Sequence, residues 1–219
     1  GNTLTKIALE KAGILKPGVP AVSSPQPPAA WRVREAFPGL DFPGFQMLRR
    51  RKGVVHFRTM QAGTCRLAVR GAHQAANAAT ALALVERGGL RLTAAARRRG
   101  LRSARLPGRV ELVPGRPRVL VDAAHNPVSA RALAEALREL PRRRLWLVFG
   151  ASADKDYASM LRTLAPLADR LILTRAASPR AASPADLARQ LPGRDCLTIG
   201  GVGRALRLAM RERHKAEYA

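Results

Sequence analysis

Aromatic residues are scarce in this chain: five Phe, two Trp and two Tyr make up 4% of its 219 residues. Proteins that hold single-stranded nucleic acid stack its bases on aromatic side chains, so a supply this thin argues against nucleic acid as a partner. Cysteine is nearly absent. Cys65 and Cys196 stand far apart with no CxxC pair, so neither a disulfide framework nor a zinc site is suggested. No apolar run approaches the length of a membrane span, and no basic-then-apolar leader is legible at the N-terminus. No membrane partner and a cytoplasmic location are the resulting expectations. Acids are few as well, 15 Asp and Glu against 39 Lys and Arg, for a net charge of +24.

Such a charge can mark a surface for nucleic acid or for anionic substrates. Its distribution argues against a discrete basic tail. Residues 1–104 carry 18 bases and 4 acids, residues 105–219 carry 21 and 11, and nearly all the base is Arg. With heavy use of Ala, Gly and Pro, this is the pattern of a GC-rich coding bias. The 47% hydrophobic content is enough for a proper core, in one large domain or two small ones.

The chain is organised around VLVDAAHNP, Val119–Pro127. Arg118–Val121 reads as a short buried strand ending in Asp122. Asn126 is a good helix N-cap and Pro127 suits the first helical position. Leu133, Leu137 and Leu140 then give that helix an apolar stripe. Asp122 and His125 are thus placed at the carboxyl end of a strand beside a helix N-terminus, where ligands bind in open α/β sheets. Taken alone, the pair equally suits residues that satisfy a turn.

Upstream, Asn2 or Thr3 caps a helix running to about Ala12, and Gly13 stops it. Lys11, in EKAGI, falls in the last turn, where a solvated cation faces the negative end of the helix dipole. Val19–Val22 is a short strand. Trp31–Ala36 is a strand or a short helix, and Pro38–Gly44 is loop. Val54–Arg58 and Arg66–Val69 are strands joined by a turn at Gly63, and Arg49–Lys52, four bases in a row, suits a solvated hairpin edge better than a phosphate contact. GAHQAANAATALALVERGG, Gly71–Gly89, is a helix from about Gln74, with Asn77 in its first turn, near an end that attracts anions. Leu92–Arg99 is a short basic helix.

A boundary falls near Arg102–Leu106. Beyond it, Val110–Val113 and Arg118–Val121 make a hairpin-like pair, followed by strands at Leu145–Phe149, Leu171–Thr174 and Cys196–Ile199. Helices at Tyr157–Leu167, Pro184–Leu191 and Val202–Arg213 alternate with them. This is the pattern of an α/β domain, a mostly parallel sheet with helices on both faces. Asp122–Asn126, Asp154–Asp156 and Thr174–Arg180 are expected to share one edge of that sheet.

The ordered series EKAGI, GxHQxxNAA, PGR, DxAHNP and VFGxxxDKD resembles folylpolyglutamate synthase and dihydrofolate synthase, of the Mur-ligase superfamily. The resemblance runs from Gly1 to about Arg213. It implies residues 1–104 as the C-terminal part of a Mur-ligase central domain and residues 105–219 as the Rossmann-like C-terminal domain. It also implies a monomer that uses ATP and Mg2+ to join L-glutamate to folate or dihydropteroate through an acyl phosphate. By motif, Asn77 contacts the adenine end of ATP, Arg109 the phosphates and Asp122 the ribose hydroxyls. His125 lies by the phosphates or the transferring group. Lys11 is implied as a catalytic, metal-binding lysine that carries a carbamate in the intact enzyme. Asn77, Arg109, Asp122 and His125 are expected to share one cleft.

Two departures stand out. DAAHNP has Ala123 where the family often has Gly, and no GxxxxGK[ST] phosphate loop is present. The expectation is a chain that starts inside the central domain, ends one strand short of a finished sheet, leaves Lys11 unmodified and makes no folylpolyglutamate alone. Two alternatives stay open: another Mur-type amino-acid ligase, and a non-catalytic basic binding module.

Overall fold

The computed structural model describes residues 3–30, 37, 39–51, 53–115, 117–141 and 144–217. The predicted element at Trp31–Ala36 lies outside them. The chain divides into two compact units, Gly1–Leu106 and Pro107–Ala219.

In the first unit, α1 (Leu4–Ala12) starts where the Thr3 hydroxyl accepts from the Lys6 N–H, and stops at Gly13. Strand β1 (Ala21–Val22) pairs in parallel with β2 (Leu40–Asp41). β2 lies in a stretch expected to be loop, because its flanking proline and glycines conceal a two-residue strand. Strands β3 (Phe45–Arg51), β4 (Val54–Thr59) and β5 (Gly63–Leu67) form an antiparallel meander. Arg49 and Arg50 sit exposed on its edge strand, as expected of a solvated edge. Along β4 the side chains alternate as a half-buried strand requires. Val55, Phe57 and Thr59 point inward, and His56 and Arg58 outward.

Helix α2 (His73–Arg87) covers the inner face with Ala75, Ala78 and Ala79, packed with Val55, Phe57, Cys65 and Leu67. Alanine at these positions lets the helix axis approach the sheet closely. Helix α3 (Ala94–Ser103), N-capped by Thr93, packs on β5.

His56 illustrates the cost of Arg-rich strands. Its cross-strand neighbours are Arg49 on β3 and Arg66 on β5. Desolvation and then these two guanidiniums hold its pKa below the usual histidine value. A group depressed in the folded state contributes stability above its unfolded pKa, about 6.5 for histidine, and loses it as pH falls through the folded value. His56→Gln is therefore expected to lessen the loss of thermal stability between pH 7 and 5, read by melting at a series of pH values.

In the second unit, β6 (Glu111–Val113) and β7 (Val119–Val121) form an antiparallel hairpin. Helix α4 (Pro127–Glu139) follows, with Asn126 as N-cap in a reciprocal capping box with Ser129 and with Pro127 opening the helix. Then come β8 (Trp146–Phe149), α5 (Tyr157–Leu164), β9 (Arg170–Thr174), α6 (Pro184–Ala188), β10 (Leu197–Ile199) and α7 (Val202–Glu217). The parallel sheet runs β10-β9-β8.

Leu171 and Leu173 of β9 share a core with Leu133 and Leu137 of α4, Leu161 and Leu164 of α5, and Leu187 of α6. Ile172 alternates to the opposite face, where α7 packs on β8 and β9 with Ala205 fully buried. Helices thus cover both faces.

Two expectations change here. Among the described residues β7 bonds only to β6, so Asp122 ends a hairpin strand rather than a strand of the parallel sheet, and that strand is half-buried to exposed rather than buried. The last helix continues to Glu217, because His214–Glu217 contains no Gly or Pro to stop it. Among the described residues no helix is long and apolar enough to cross a membrane, and both cysteines are free.

Candidate functional site

Three of the residues singled out from the sequence meet in the second unit, through a clip of backbone hydrogen bonds. Asp122 accepts from the Val110 N–H and from the Ala124 N–H, each at 2.8 Å. The Ala123 N–H donates to the Gly108 carbonyl at 2.8 Å. The turn Pro107–Val110 is thereby fastened to the end of β7, and Arg109 is carried, exposed, to Asp122.

The clip holds unusual backbone. Gly108 has φ 67° and Val110 φ 48°. Glycine takes that conformation freely, whereas a β-branched residue there is strained by about 1–2 kcal/mol. The Asp122 bond and the burial of the Val110 side chain, 2% exposed, hold it in place.

His125 is exposed just before the α4 cap. Its Nδ1 lies 3.0 Å from the Ala123 carbonyl. A carbonyl can only accept, so Nδ1 carries the proton, and in the neutral ring Nε2 is the acceptor. The Ser129 hydroxyl accepts from the backbone N–H groups of both His125 and Asn126.

Lys11 and Asn77 belong to the first unit. Lys11 is exposed in the last turn of α1. Asn77 is exposed on α2, and its Nδ2 donates to Gln74 Oε1 at 2.9 Å. Gln74, 2% exposed, also lies 2.9 Å from His73 Nε2 through its own amide nitrogen. It therefore orients both neighbours. Gly71, with φ 97°, passes so close to the His73 ring that a Cβ there would lie 2.6 Å from Cε1. Sequence reasoning missed Gln74; its signal is a polar side chain three residues before Asn77 on a face otherwise built of alanine.

At the carboxyl edge of the parallel sheet, Asp154 pairs with Lys155 at 3.0 Å and Arg180 at 3.1 Å. The hydrogen bond from Lys155, then the charges of Lys155 and Arg180, hold the Asp154 carboxyl below its usual range. A bridge between Ser152 and Ala181 ties these two loops together. Just before it, Gly150 lies so close to the end of β9 that a Cβ there would meet the Thr174 carbonyl oxygen at 3.0 Å. Asp156 serves as N-cap of α5. Among the described residues no group of three or more His, Cys, Asp or Glu could hold a metal ion. The second unit's donors and acceptors suit a nucleotide; the described residues do not by themselves suit a metal.

Residues 108–217 match the family model for the Mur ligase glutamate ligase domain, and the chain belongs to that family. Within it, a dihydrofolate synthase/folylpolyglutamate synthase of Bacillus subtilis (strain 168) is 32% identical over 211 residues, covering 85% of this chain and 48% of the relative. The solved Mycobacterium tuberculosis folylpolyglutamate synthase complexed with ADP and AMPPCP superposes with a TM-score of 0.87 at 32% identity, over 100% of this chain and 55% of that one. A bifunctional folylpolyglutamate synthase/dihydrofolate synthase with Mn, AMPPNP and L-glutamate bound gives a TM-score of 0.76 at 30% identity, over 96% of this chain and 52% of that one. The chain spans about half the length of these relatives.

Proposed function

We propose that this chain carries the nucleotide-facing part of an ATP-dependent ligase that adds L-glutamate to a folate or dihydropteroate carboxyl group. The observation that carries the reading is the clip joining Pro107–Val110 to Asp122–Ala123, which gathers Arg109, Asp122 and His125 at the start of α4.

ATP supplies the phosphoryl group that turns an unreactive carboxylate into an acyl phosphate, whose phosphate the glutamate amine displaces. The protein's part is positioning and charge stabilisation. Arg109 offers a planar fork of donors to phosphate oxygens. Asp122 keeps lone pairs beyond the two given to the backbone and accepts from ribose hydroxyls. His125 presents Nε2 outward toward the phosphates or the transferring group, where it accepts from a donor in the neutral ring and donates to a phosphate oxygen only as the imidazolium. Lys155 and Arg180, with Asp154 between them, offer both signs of charge to an amino acid at the sheet edge.

In the first unit, Asn77 is assigned to adenine, and Lys11, as a carbamate, to catalysis and the Mg2+ of the complete enzyme. The reading carries with it a cytoplasmic location and a monomeric intact enzyme, as the family resemblance implies.

Calorimetric titration of the 219-residue chain with ADP tests this. Saturable binding is expected, with Arg109→Ala weakening it about tenfold through loss of a charge-assisted contact. ADP binding that is absent, or indifferent to Arg109, sinks the reading.

A further inference from the structure

Helix α3 lies outside the machinery described so far. From Arg87 to Val110 the chain carries eight Arg and no acid. The other long helices of the second unit mix their charges: α4 sets Arg131 and Arg138 among Glu135 and Glu139, and α7 sets Arg211 beside Glu212. Along α3 there is an open groove of about 800 Å³, lined by Ala95, Arg98, Arg99, Arg102, Ser103 and Arg105. Arg98 and Arg102 are four residues apart on one face of the helix, and Arg105 follows just past its end at Ala104. Among the described residues none of these four arginines forms an ion pair, while Arg97 next to them is engaged with the Gln61 carbonyl at 3.2 Å. Unopposed like charges held this close repel one another, so an anion with several charges relieves an existing strain.

We propose that the α3 groove binds a carboxylate-rich chain, the γ-linked polyglutamyl tail of the folate product. The proposal rests on the functional reading above, which supplies such a chain. Three observations favour it over nucleic acid. The lining has no aromatic side chain on which a base could stack. The helix is 10 residues long, about 15 Å, which suits a few carboxylates and is short for a nucleic-acid track. Every cation is a guanidinium, whose fork matches a carboxylate in bidentate fashion. A γ-glutamyl chain presents one free α-carboxylate per residue, in series along the groove.

The test is fluorescence anisotropy on the 219-residue chain with two labelled probes, a γ-linked tetraglutamate and an oligouridylate of equal charge. The peptide is expected to bind saturably and more tightly than the RNA, and to weaken as salt rises. Arg98→Ser with Arg102→Ser is expected to weaken it about tenfold, through the loss of two exposed ion pairs. The paired Lys variants, which keep the charge and lose the fork, are expected to fall in between. These positions are exposed, and unchanged thermal midpoints verify folding.

Tighter RNA binding, no saturable peptide binding, or indifference to the double Ser variant overturns the proposal. ADP titrated on the same samples separates the two readings. ADP binding without peptide binding refutes the groove alone; peptide binding without ADP binding refutes the ligase reading and leaves an acidic-peptide site.

Discussion

Asp122→Ala is expected to destabilise the Pro107–Ala219 unit by about 3 kcal/mol, because two backbone N–H groups lose a charged acceptor at once. Urea unfolding, followed through Trp146, measures it. The two bonds differ in consequence. The bond to Ala124 closes a local turn, two residues long. The bond to Val110 spans twelve residues and holds a backbone conformation that valine would otherwise leave. Asp122→Asn keeps an acceptor but can satisfy only one N–H through oxygen, so about half the loss is expected. On the proposed function, ADP affinity should fall further than stability alone explains, since the carboxylate both builds the site and meets the ligand. Full stability in Asp122→Ala would show that the Pro107–Val110 turn stands without its clip.

Phe57→Ala is expected to cost about 3–5 kcal/mol, as large-to-small changes in well-packed cores do. Phe57 is fully buried at the centre of the meander, beneath the alanine face of α2. That face explains why the cavity would persist. Ala75, Ala78 and Ala79 are too short to fill it, and the helix already lies close to the sheet. Thermal melting of this variant should show the loss, whereas Leu84→Ala on the exposed side of α2 should stay within about 0.5 kcal/mol of the parent. Equal effects from the two would mean that α2 packs through a different face.

Parts of this architecture were plain in the sequence for local reasons. Asn126 and Pro127 define a helix start by their own chemistry, and Gly13 stops α1 in the same way. Strands β8 and β9 are runs of apolar residues that can only be buried. Strand β3 was not legible, because FQMLRRR ends in charge and slips register between Met47 and Arg49, which spoils the alternation that marks a strand. The pairing of β7 was not legible either. VLV suits an edge hairpin and a central strand equally, and only the register opposite Glu111–Val113 decides between them. At the candidate site, Asp122 and His125 were singled out by their place between a strand end and a helix start as well as by motif, and Arg109 by motif alone. The bond between Asp122 and Val110 could not be, since nothing in the sequence announces a valine at positive φ. Gln74 was hidden because a buried, satisfied amide looks like any other polar residue in a helix.

The strained turn also has a kinetic signature. The Val110 amide is bound by Asp122, and its side chain is buried among residues of the main core of its unit. The Gly108 amide, two residues earlier, is bound by the exposed carboxylate of Glu111. Local fluctuation frees the second proton, while the first is released only when the core itself opens. In deuterated water the two amides should therefore exchange on widely separated timescales. A stretch that looks like linker is then expected to exchange, at one residue, with the core of the unit.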